Sequence, residues 1–120
     1  MTTLHDEFDQ AIHLRDEGKP DEALAILSKL ANEPNATAAV FAVLGSLQWE
    51  RGALRDAVSS FRNATDLSPR SEVASLGLFH TLLEWGQDDE AFDEMRRYLS
   101  VGKSEEYQAL LNDINRSSDK

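Results

Sequence analysis

The stretch GALRDAVSSFRNATDLSP, Gly52 to Pro69, has two echoes in the same chain. GKPDEALAILSKLANEP opens at Gly18 and GQDDEAFDEMRRYLSVG at Gly86, so the phrase restarts every 34 residues. An alanine stands five residues after each glycine: Ala23, Ala57 and Ala91. An acid precedes each alanine (Glu22, Asp56, Glu90) and a large apolar residue follows it (Leu24, Val58, Phe92). Another apolar side chain sits four residues past the alanine: Leu27, Phe61, Met95. A fixed period of this length implies stacked copies of one small unit, none able to bury its apolar face alone.

Within each unit the pattern is helical. Ala23, Leu24, Leu27, Leu30 and Ala31 fall on one face of a helix, as do Ala57, Val58, Phe61, Ala64 and Leu67. A second amphipathic stretch precedes each glycine, over about residues 4–17, 37–51 and 71–85. The glycine therefore ends one helix and the next begins at once. Pro20 and Pro69 are expected near helix starts, where a missing N–H costs nothing, with Ser68 as the cap before Pro69. The small alanine is expected where the two helices of a pair approach most closely. No stretch alternates with period two, so no sheet is expected.

The middle unit runs Phe41-x2-Leu44-Gly45-x2-Gln48, then Gly52, Ala57-x3-Phe61, Ala64 and Pro69. This resembles the tetratricopeptide repeat, with Phe41 where the family usually has Trp and Gln48 where it usually has Tyr. In the flanking units Ala11 and Phe79 stand at the place of Gly45, and Lys103 replaces the closing proline. Terminal repeats are commonly atypical in this way. The resemblance spans about residues 4–103. It implies an all-α fold: a right-handed superhelical solenoid of three antiparallel helix pairs, at about 4–37, 38–71 and 72–103. Beyond it, Tyr107, Leu110, Leu111 and Ile114 form one apolar stripe, which predicts a C-terminal capping helix over about 104–116. Ser104 is its expected N-cap, and Arg116–Lys120 is expected to fray.

Composition narrows the function classes. The formal net charge is −10, from 22 acids against 12 bases. That disfavours nucleic acid and anionic membranes, which need clustered Lys and Arg. There is no cysteine, and so no disulfide, thiolate metal site or thiol catalysis. No apolar run approaches the roughly 18 residues that span a bilayer, and the acidic start does not read as a signal peptide. A cytoplasmic location is expected. Val101-Gly102-Lys103-Ser104 looks like the end of a phosphate loop, but Arg97 occupies the place of its first glycine. Asn35, Asn63 and Asn115 fit a glycosylation pattern and are read as idle without a secretory signal. His5, His13 and His80 lack the spacing of a helical metal site. No nucleophile–base arrangement stands out, so no enzyme activity, cofactor or metal is expected.

A binding surface is the remaining expectation. In tetratricopeptide proteins the first helices line the concave side, and the resemblance carries that over to Phe8, Ile12 and Arg15 in the first unit. It does the same for Ala42, Ser46, Trp49 and Glu50 in the second, and Leu76, His80, Leu83 and Glu84 in the third. Asp16, Glu50 and Glu84 would rim this apolar trough, which suits a protein or peptide partner with apolar anchors and basic residues. The competing expectation is that Phe8, Trp49, Leu76 and Leu83 pack against neighbouring helices. One family subset grips acidic peptide tails, but its matching positions here are Phe8, Ile12, Val43, Val73 and Gly77, and none can hold a carboxylate. The expected function is protein–protein interaction, by a monomer or weak homodimer. The alternatives are a self-assembling scaffold or a small chaperone for an apolar client segment.

Overall fold

Gly52 has a φ of +78°, and Gly18 and Gly86 have +80° and +79°. Any other residue would take that conformation at a cost of about 1–2 kcal/mol. It lets the chain fold back on the helix it has just left. The Gly52 N–H donates to Trp49 O (2.9 Å), and the Ala53 N–H to Gln48 O (2.9 Å). Gly18 with Lys19, and Gly86 with Gln87, make the same pair of bonds, which satisfy helix-end carbonyls that would otherwise lack donors.

In the computed structural model, which describes residues 4–118, these turns join first and second helices of successive pairs. The order is α1 (Leu4–Asp16), α2 (Pro20–Ala31), α3 (Ala38–Glu50), α4 (Leu54–Leu67), α5 (Glu72–Glu84), α6 (Asp88–Leu99) and α7 (Glu105–Ser118). No strand occurs among the described residues, and none of these helices is long and apolar enough to cross a membrane. The three first helices lie within one residue of their predicted ends. α7 extends through Ser118, two residues past the predicted end; Asp119 and Lys120 lie outside the described residues.

Two kinds of helix start alternate. Thr37, Ser71 and Ser104 cap α3, α5 and α7, each hydroxyl accepting from the backbone N–H three residues on, at 3.3, 3.2 and 3.1 Å. The second helices begin directly from the glycine turn with no side-chain cap. They carry acids in the first turn instead: Asp21 and Glu22, Asp56, and Asp88 to Glu90. A negative charge there complements the positive end of the helix dipole. Pro20 is the first residue of α2, as expected. The expectation for Ser68 is corrected. Ser68 closes α4, Pro69 follows that end, and Ser71 opens α5. The proline stops a helix here rather than starting one.

Ala23, Ala57 and Ala91 are wholly buried. Each helix of a pair packs on its mate, and α2 on α3 and α4 on α5 continue the stack. The apolar interior divides in two. One cluster gathers Ala11, Ala23, Leu27, Leu30, Val40, Leu44 and Leu47 from α1 to α3. The other joins α4 to α7 around Phe61, Phe79, Met95, Tyr98 and Tyr107. Among the described residues every buried polar side chain has a partner. Ser60 donates to Gln48 Oε1 (2.6 Å), Thr65 to Arg62 O, and Thr81 to Gly77 O. Glu94 receives two bonds from Arg97, whose third reaches Pro69 O (2.9 Å) and ties α6 to the α4–α5 loop. The result is an α-solenoid of 60 × 27 × 21 Å.

Candidate functional site

α3 and α5 pack directly on one another, and a hollow of about 280 Å³ opens between them. Ser46 and Trp49 line it from α3, Leu76, Gly77, His80 and Thr81 from α5, Phe61 from α4 and Glu106 from α7. Gly77 explains how closely α5 approaches Phe61 on the wall of the hollow. A Cβ at that position would lie 2.4 Å from Phe61 Cε1, and one at Gly45 would lie 3.0 Å from the other edge of the same ring. The two glycines let α3 and α5 close over Phe61 from both sides. The ring is 4% exposed.

Trp49 is the largest side chain at the rim and remains 40% exposed, although α3 around it is well packed. His80 Nε2 lies 2.7 Å from Glu106 Oε2, with both side chains about half exposed. The imidazole meets the Phe79 ring edge-on at 5.3 Å. Glu106 is carried by a helix held through the next residue. Tyr107 is fully buried, edge-on to Phe79 at 5.3 Å and 5.9 Å from Tyr98. Its hydroxyl lies 2.8 Å from the Ser75 hydroxyl. Burial drives the Tyr107 phenol far above its ordinary pKa, only partly opposed by the Ser75 hydrogen bond.

Of the residues read from the sequence, Ser46, Trp49, Leu76 and His80 meet in this hollow. Phe8 and Leu83 are half-buried and pack against the α1–α3 and α4–α7 clusters respectively, and neither lines this hollow. Ile12 and Ala42 are half-buried outside the hollow. Arg15 is exposed and bonds its neighbour Asp16 (3.0 Å). Glu50 and Glu84 are exposed, and no ion pair involves either among the described residues. Sequence reading missed Phe61, Gly77, Thr81 and Glu106 as lining. Phe61 was visible as a core residue; Glu106 sat on the polar face of α7, where nothing marked it.

A larger, more open hollow of about 800 Å³ continues the first, sharing Leu76 and Glu106. Glu72, Leu99, Lys103, Glu105 and Gln108 are among its walls. Lys103 and Ser104, from the stretch resembling a phosphate loop, thus border a helix start with no strand before it. The Gly102 there is explained by packing, since a Cβ would meet Tyr98 Oη at 2.9 Å. Among the described residues no group of three His, Asp or Glu side chains is placed to hold a metal.

Stacked helical hairpins closed by a last helix make this a tetratricopeptide-like solenoid in fold. Among solved structures, the crystal structure of MamA, a tetratricopeptide-repeat-containing protein, matches with a TM-score of 0.75 at 19% identity. The match covers 82% of this chain and 58% of that one, so this chain spans less than two thirds of its neighbour's length. No protein-family model matches the chain, and no curated protein matches it by sequence.

Proposed function

We propose that the protein is an interaction module that holds a segment of a partner protein against α3, α5 and α7. The observation that carries this reading is Trp49, left 40% exposed beside Leu76, Phe61 and Gly77 at the mouth of a hollow. Covering such apolar surface is worth about 25 cal/mol per Å². Aromatic residues in desolvated pockets dominate binding energies where they occur. The net charge of −10 steers basic segments toward the molecule. The partner segment is therefore apolar with basic residues, extended or helical, and the protein works without catalysis.

A peptide array read by Trp49 fluorescence tests this in a Trp85→Phe background, because Trp85 is also 42% exposed. Apolar–basic peptides should shift the emission to shorter wavelength, and Trp49→Ala, read by calorimetry because it removes the reporting indole, should weaken binding at least tenfold. A spectrum unmoved by every peptide would sink the reading. One observation favours self-assembly instead: Ile114 is 41% exposed beside the half-buried Leu110 and Leu111 at the end of the stack. Light scattering at increasing concentration separates the two, since a scaffold grows in mass without any peptide present.

A further inference from the structure

We infer that Glu106, delivered by the capping helix, makes the hollow selective for one lysine or arginine side chain of the bound segment. This deepens the peptide-binding reading and rests on it.

The argument begins with what the hollow offers. Trp49, Phe61, Leu76 and Gly77 are apolar; Ser46, His80, Thr81 and Glu106 are the polar members. The Thr81 hydroxyl already donates to Gly77 O at 2.7 Å. Glu106 is the one carboxylate among them, and a carboxylate accepts on both oxygens. His80 engages Oε2, and no hydrogen bond to Oε1 occurs among the described residues. An acceptor is thus open in a hollow that a 40% exposed tryptophan also lines, and a carboxylate and an indole each attract a cation.

Size and surroundings agree. At about 280 Å³ the hollow falls just short of the roughly 300–1,000 Å³ of pockets that enclose whole small molecules. It has room for one long side chain. Lys and Arg lay apolar stems along apolar walls while their charged heads reach polar groups, and here the stem would cross Leu76 and Trp49. The adjoining hollow adds Glu72 and Glu105 against Lys103. Neither acid takes part in an ion pair among the described residues. An acidic side chain would be repelled, and a purely apolar one would cover Glu106 without giving it a donor. Position is secured by Ser104, which caps α7 two residues before, and by buried Tyr107 one residue after.

The test uses the full chain and one apolar peptide from the array, made with lysine, norleucine or glutamate at a single position. Calorimetry on the wild type should give the lysine peptide about tenfold tighter binding than norleucine, with glutamate weakest. Glu106→Gln should bring the lysine-to-norleucine ratio close to one. Glu106→Lys should invert the order of lysine and glutamate. Glu33→Gln, which removes a charge in the α2–α3 loop, should leave the ratio intact. A ratio unchanged in Glu106→Gln overturns the inference while the peptide-binding reading stands. Binding with no lysine preference in the wild type does the same. No binding by any peptide overturns both.

Discussion

Phe61 is held between two glycines on different helices, and each leaves room for one edge of its ring. Gly45 and Gly77 have no Cβ because the ring occupies that space. Gly77→Ala gains about 1 kcal/mol of helix propensity. It forces a methyl into atoms 2.4–2.7 Å away, an overpacking that costs about 1–3 kcal/mol. The urea midpoint should fall, and the displaced ring should narrow the hollow and weaken peptide binding. A more stable Gly77→Ala protein would show that the ring has room to move. At Gly52 nothing lies within 4 Å of an added Cβ, so Gly52→Ala isolates the backbone cost, about 1–2 kcal/mol. An unchanged midpoint would mean the turn rearranges freely. Gly52 was legible in the sequence because its requirement is local and repeats. Gly77 was not, because the atom it must avoid belongs to a residue 16 positions earlier.

At the scale of an element, α7 depends on Tyr107. Removing the hydroxyl in Tyr107→Phe strands the buried Ser75 hydroxyl and should cost about 1 kcal/mol. Tyr107→Ala empties the socket between Phe79 and Tyr98, at about 3–5 kcal/mol for a loss of that size. Hydrogen exchange should then rise over 105–118 before it rises in α3 or α4; uniform exchange would show that α7 is not an independent lever. Alkaline unfolding reads the same residue. Burial holds the phenol above the ordinary tyrosine pKa of 10.0, so above about pH 10 the unfolded chain binds fewer protons than the folded one. The contribution is whole below about pH 10 and is lost as pH rises beyond it. Wild type should therefore lose more stability between about pH 9.5 and 11.5 than Tyr107→Phe does, and equal losses would contradict a buried phenol. Period and caps made the helices readable from sequence. The Ser68 cap failed because two serines flank Pro69–Arg70, and only the register of α5 on α4 selects Ser71.

Across the whole molecule, the Cα radius of gyration is 15.7 Å, whereas a compact chain of this length is expected near about 13.6 Å. Small-angle scattering should give a longest dimension near the 60 Å of the stack; a dimer in solution would exceed it. Ion pairs such as Arg51–Asp21 and Arg62–Glu90 tie successive units at exposed positions. Each is worth at most about 1 kcal/mol, so a net charge of −10 is felt mainly as self-repulsion. Moderate salt should then raise the melting temperature while weakening a basic peptide. Salt that strengthens the peptide would remove the electrostatic part of the proposed function. What the amino-acid order alone determined is the part built from near neighbours: the 34-residue period, the extents of the first helices, the glycine turns and the buried alanines. Which side chains share the hollow was decided only in three dimensions. Phe8 and Leu83 pack half-buried against the two interiors, and Glu106 reached His80 because Tyr107 seats α7 beside α5. Both outcomes depend on competing burial between residues distant in the chain, which periodicity does not encode.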